Sequence, residues 1–132
     1  MAGFADGKEA SDVMKAVIAL MDTTSMESVD IVYSYRFTDI DWSCTVVVRG
    51  GAGQLFEGIL PESESTVETT STVFDGVMTG AMNVATAHLT NQARIRGSVG
   101  NVFTLRTIIP AMSEAYRSVM EARKPDPRPQ DA

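Results

Sequence analysis

The chain has 132 residues, 44% apolar and 21% charged, which is the length of one domain and enough to bury a single core. Lys and Arg number 11 against 17 Asp and Glu, a net charge of −6 that argues against a dedicated nucleic-acid binder. One cysteine, Cys44, and one histidine, His88, exclude an internal disulfide and any Cys/His structural zinc site.

Met14, Val17, Ile18 and Met21 recur at helical spacing and predict an amphipathic helix over 8–22. From Val29 the period changes to two. Val29, Ile31, Tyr33, Tyr35 and Phe37 share one face of a strand, with Asp30, Ser34, Arg36 and Thr38 on the solvent side. A turn at 38–41 leads to a second strand that alternates Trp42, Cys44, Val46 and Val48. Gly50-Gly51-Ala52-Gly53 closes a hairpin into a third strand, 54–60, and a short polar strand follows at 66–70. These four consecutive strands read as an antiparallel meander.

Helical spacing then returns. Ser71 is the expected cap of a helix carrying Val73, Phe74, Val77 and Met78 and ended by Gly80; Asn83 caps a second, over 84–90. Residues 92–96 alternate as a fifth strand with Ala93 and Ile95 inward. Gly97 and Ser98 open a helix bearing Val99, Val102, Phe103, Ile108 and Ile109. Pro110 suits the first turn of a further helix with Met112, Ala115, Tyr116 and Val119 in its stripe. The order αββββααβαα predicts an α+β fold in which helices cover a five-stranded, mostly antiparallel sheet. One domain over 1–122 is expected, followed by a proline-rich mobile tail over 123–132. No targeting signal or membrane span is legible, so the expectation is a cytoplasmic protein without stable membrane insertion.

Catalytic signatures are absent: no phosphate-binding glycine loop before a helix, no His-Glu-x-x-His and no Gly-x-Ser-x-Gly. His88 on a short helix reads as a packed or exposed side chain, Asp39 and Asp41 as turn formers, and Cys44 as a buried thiol. Eight methionines suit either core gap-filling or an apolar wall that adapts to its ligand. The apolar arc over 99–120 is too wide for one stripe, so it must meet a second surface, line a cavity or contact another chain. Positive charge collects late in the chain, at Arg94, Arg96, Arg106, Arg117, Arg123, Lys124 and Arg128, where it would suit anionic head groups or acyl-CoA phosphates if several shared a cavity mouth.

Phe74 six residues before Gly80, Ala87 seven after it, and Arg94-Ile95-Arg96-Gly97 running into an apolar helix with Leu105 resemble the sterol carrier protein 2 (SCP-2) family, as does Trp42 at the start of the second strand. Asn91, Val84, Arg94, Arg96 and Thr104 depart from the family's usual Gly, Pro and Lys. The resemblance implies helices and sheet around an apolar tunnel for a sterol, fatty acid or fatty acyl-CoA. It implies a wall of Phe74, Val77, Met78, Phe103, Leu105, Ile108, Ile109 and Met112, with Tyr35 and Trp42 as weaker candidates. No cofactor, metal or catalytic residue is expected. Two alternatives stay open: an enzyme or enzyme accessory acting on a steroid- or acyl-like intermediate through His88, Asp39 or Asp41, and an interaction module that forms a homodimer through its C-terminal helices.

Overall fold

Asp6 starts the first helix, α1 (Gly7–Leu20), by accepting the Glu9 N–H at 2.9 Å, while the Glu9 carboxylate accepts the Ala5 N–H at 3.0 Å. Its predicted stripe is buried: Val13, Met14 and Val17 are shielded from solvent, and Ile18 nearly so. The strands β1 (Asp30–Phe37), β2 (Trp42–Arg49), β3 (Ala52–Glu57) and β4 (Ser65–Thr69) follow. After them come α2 (Ser71–Thr79), α3 (Val84–Leu89), β5 (Ala93–Gly97) and α4 (Gly100–Arg123). This computed structural model describes residues 3–97 and 100–123; the tail expected beyond 123 and the side chains at 84, 88 and 100–103, His88 and Phe103 among them, lie outside the described residues.

The five strands form one sheet in the order β3-β2-β1-β4-β5. It is mostly antiparallel, as expected, with the single parallel pairing between β1 and β4. The glycine hairpin is confirmed: Arg49 pairs with Ala52 across Gly50 and Gly51, whose φ values of 56° and 77° suit the twist of a two-residue turn.

Two expectations are corrected. The four strands are not a meander, because the chain leaves β3 at one edge and crosses the back of the sheet to lay β4 beside β1. The crossing segment buries part of the face assigned to solvent: Ser34 and Thr45 are shielded and hydrogen-bonded to each other at 2.9 Å. Thr45 Oγ1 also accepts the Leu60 N–H and donates to the Gly58 carbonyl, and Ser34 Oγ meets Ser63 Oγ at 2.7 Å. Buried hydroxyls thus satisfy a loop that crosses strands with no ladder of its own. Second, Pro110 does not begin a new helix; it lies inside α4, giving the order αββββααβα. Proline removes a donor to the Arg106 carbonyl, and the helix accommodates this where both residues are exposed to water.

The helices α1, α2 and α4 cover one face of the sheet, and α4 runs against both of the others. At the far edge, Gly97 has a φ of 105° beside the start of β4. A Cβ there would run into the Glu64 carbonyl oxygen and approach Ser65 Cα to 2.9 Å, whereas Gly80, with a φ of 83°, faces open space. Both positions carry left-handed strain for alanine, but only Gly97 adds a backbone collision. Gly97→Ala is therefore expected to cost about 3 kcal/mol or more and Gly80→Ala about 1 kcal/mol in urea unfolding; equal losses would contradict this account.

Candidate functional site

The helix α2 is held on three sides. Its cap is Thr70 rather than Ser71: the Thr70 hydroxyl accepts the Val73 N–H at 3.1 Å, and Gly80 ends the helix in the left-handed conformation as expected. Ser71 is freed for a longer-range task. Its N–H and hydroxyl donate to the two carboxylate oxygens of Asp39 at 2.8 and 2.6 Å, and its Oγ accepts the Phe4 N–H at 3.0 Å. Asp39 thus ties the β1–β2 turn to α2 instead of bonding its own loop. At the other end, Tyr116 of α4 donates to Asp75 at 2.5 Å and Ser113 donates to the Met78 carbonyl.

Phe74 is the hub of the aromatic core. Its ring lies 5.0 Å from Phe37, 5.2 Å from Tyr35, 5.6 Å from Tyr116 and 6.3 Å from Phe4, with edge-on geometry against the two tyrosines. This cluster packs the β1 half of the sheet densely. The β4–β5 half is different. There α2, α3 and α4 stand around a cavity of about 570 Å³, within the range of small-molecule sites.

Each wall has a clear origin. Val67 and Thr69 of β4 and Ala93 and Ile95 of β5 supply the floor through the inward half of their alternation. Val73, Phe74, Val77 and Met78 come from α2, and Ala85, Ala87 and Leu89 from α3. Leu105, Arg106, Ile109 and Pro110 come from α4. Asn83 fixes α3 by accepting the Ala85 N–H at 2.8 Å, the role read from sequence. Asn91 takes a φ of 59°, so asparagine supplies the left-handed turn into β5. The mouth lies between α3 and α4, where Ala85, Leu89, Arg106 and Pro110 are exposed.

Of the expected wall, the structure brings together Phe74, Val77, Met78, Leu105 and Ile109, with Tyr35. Ile108 and Met112 are fully buried in the core behind it, and Trp42 stacks on Phe37 away from it. The α4 arc is wide because one side meets the core and the other lines the cavity. Most described methionines are core filler; Met78 alone among them reaches the wall. Ala93 and Ile95, expected to point inward, prove to be part of the wall; missed in the sequence were Val67, which strand alternation could have flagged, and Leu89, for which no local signal exists. The described basic residues do not share the mouth, and Lys124 and Arg128 lie outside the described residues. Arg94 and Arg96 alternate away from the cavity, Arg96 near Glu68 at 3.8 Å, and Arg123 lies 3.9 Å from Glu9. Arg106 alone among the described basic residues lines the cavity.

Polar groups at the wall are few and engaged. Thr69 donates to the Gln92 carbonyl at 2.7 Å, and the Tyr35 hydroxyl lies 3.2 Å from that of Tyr33 and 3.5 Å from Met112 sulfur. Burial pushes both tyrosines well above the ordinary phenol value, and it pushes the Cys44 thiol up to about 12, leaving it inert. Tyr116 is also raised, first by burial and then by its bond to Asp75. Among the described residues no His, Cys, Asp or Glu cluster is placed to hold a metal. What such a site can do is take apolar surface out of water.

A protein from Thermus thermophilus described as a candidate sterol carrier aligns with a TM-score of 0.65 and 12% identity, over 90% of this chain and 92% of its own. The fold is that of an SCP-2-like domain. Palmitated SCP2L2 from Aedes aegypti shares it at a TM-score of 0.52 and 14% identity, over 75% of this chain and 89% of its own. The sec-alkylsulfatase Pisa1 from Pseudomonas sp. matches at 0.63 and 16% identity over 70% of this chain, which spans only 15% of that enzyme. No protein-family model matches, and no curated protein matches by sequence. At these identities the SCP-2-like likeness is one of fold.

All three tyrosines of the chain are raised, so each stays protonated in the folded state while its unfolded counterpart ionises near pH 10. Their contribution to stability is full below that pH and is lost as pH rises above it. Phenolate absorbance should appear in one step with the loss of circular dichroism; a separate titration near pH 10 in folded protein would contradict this.

Proposed function

We propose that this chain is a lipid carrier that holds a fatty acid, sterol or fatty acyl-CoA in the cavity bounded by α2, α3, α4 and the β4–β5 half of the sheet. The observation that carries the reading is the cavity itself: about 570 Å³, walled mainly by aliphatic and aromatic side chains. Burial is worth about 25 cal/mol per Å² of apolar surface, so such a wall rewards area more than shape and accepts related lipids. The names of the similar structures, a candidate sterol carrier and a palmitated protein, support the same class of ligand. A second reading has the domain presenting an alkyl chain to a partner enzyme; the match to one part of a sec-alkylsulfatase favours it.

An environment-sensitive fatty-acid probe is expected to bind at micromolar or better affinity and to be displaced by long acyl chains. Competition should strengthen by about 0.8 kcal/mol per added CH₂ until the cavity is full. Val77→Trp, which fills the space between α2 and the floor, should weaken the longest chains by at least about tenfold while the circular dichroism spectrum is unchanged. Flat affinity across chain length, or indifference to Val77→Trp, would remove the cavity from the account. Alkyl-substrate turnover by a partner enzyme that rises on adding the loaded chain would select the second reading.

A further inference from the structure

The two edges of the sheet are unlike. On β5 the side chains turned away from the cavity are Arg94 and Arg96, both exposed, and charged side chains on an edge keep other strands off it. The opposite edge, β3, runs Ala52-Gly53-Gln54-Leu55-Phe56-Glu57, with no Lys, Arg or Pro and a single charge at its end. Arg49 faces Ala52 across a two-residue turn, which makes them a hydrogen-bonded pair, and beyond the strand the Gly58 N–H reaches the Ser43 carbonyl at 2.9 Å. Bonding therefore alternates: Ala52, Gln54 and Phe56 direct their backbone groups to β2, while Gly53, Leu55 and Glu57 aim theirs outward. The strand has no second neighbour in the sheet, and among the described residues no loop or turn backbone bonds to these three.

Apolar side chains flank that edge on both faces. Phe56, 42% exposed, lies opposite Thr45 on the back of the sheet, and Ile59, 44% exposed, is on the segment that follows. On the other face α1 packs over β3, with Ile18 and Met21 close to Gly53, and ends in Leu20 at 56% exposure. Of the four exposed large apolar side chains among the described residues, only Leu89 lies elsewhere. An open ladder with uncharged, apolar flanks is the surface onto which a further β-strand adds.

We propose that β3 pairs antiparallel with the β3 of a second copy of this chain, about a two-fold axis at Leu55. In that register Leu55 faces the second copy's Leu55 and Gly53 faces the second copy's Glu57, so every outward N–H and C=O meets its complement. Charge complies with it. Each Glu57 lies against a glycine, and the two carboxylates stand roughly 14 Å apart at the rise of a strand, past the Debye length. On the back of the sheet the two Phe56 rings become diagonal neighbours within reach of each other. The edges that remain free are the two arginine-bearing β5 strands, so the assembly closes at the dimer. One short ladder with its flanking side chains is small beside the about 1,200 Å² of stable complexes, which makes the dimer reversible, with micromolar dissociation. The cavity lies toward the other edge, so the pairing leaves its mouth clear and does not depend on the lipid-carrier reading.

Sedimentation equilibrium of the ligand-free full chain, from micromolar to millimolar concentration, tests it. A monomer–dimer equilibrium is expected. Phe56→Lys should raise its dissociation constant by at least about tenfold, because the aromatic contact is lost and two cations take its place. Leu89→Asp, on the far side of the sheet, should leave it unchanged, and the circular dichroism spectrum checks that each variant is folded. Register is read separately by mild oxidation. Leu55→Cys should give a covalent dimer, since its two Cα atoms would stand about 5.5 Å apart; Glu57→Cys, with its thiols roughly 14 Å apart, should not. A chain that stays monomeric to millimolar concentration would overturn the proposal and leave the edge to a strand of another protein. So would a dimer weakened as much by Leu89→Asp as by Phe56→Lys, or one in which Leu55→Cys cross-links no better than Glu57→Cys.

Discussion

The position of β4 beside β1 determines the rest of the molecule. Had β4 turned back onto β3, the sheet would have grown on the side covered by α1. Instead the chain crosses the back of β2 and β1, stitched down by Ser34, Thr45 and Ser63, and extends the sheet on the far side. The helix α1 packs on the β3 side. The β4–β5 ledge is left to α2, the short α3 and the first half of α4. Three elements bridged over a twisted ledge without a long helix lying flat on it leave a cavity.

Phe74 divides the two regimes. Its ring meets the aromatic core on one side and the cavity on the other, so core packing holds the wall in place without any ligand. The hydrogen bonds from Ser71 to Asp39, Tyr116 to Asp75 and Ser113 to Met78 fix both ends of α2 to rigid neighbours. An apolar cavity tends to collapse because its lining forfeits dispersion contacts. Here collapse would break a part-buried polar frame as well as an aromatic cluster.

That division also explains why the site is chemically plain. The strongly perturbed groups, Tyr33, Tyr35, Cys44 and Tyr116, owe their shifts first to burial and hold their protons at neutral pH. Asp39, a candidate for acid/base work when read from sequence, is committed to Ser71 through both carboxylate oxygens.

Much of the local structure was legible because it depends on neighbours in the chain. The α1 stripe, the two-glycine hairpin, Gly80 as a helix stop, Asn83 as a cap and the inward Ala93 and Ile95 all follow from periodicity and backbone preference within a few residues. The partner and direction of β4, the burial of Ser34, the target of Asp39 and the passage of α4 through Pro110 do not. Each is set by what lies across the fold rather than along it. The division of the cavity wall is the sharpest case. Leu105 and Ile109 line the cavity and Ile108 and Met112 fill the core, four apolar residues on one helix with nothing in their chemistry to separate them. The sequence by itself determined which positions turn away from water; only the tertiary structure decided which of them face another side chain and which face empty space, because a cavity is a distance between elements and no residue type encodes it.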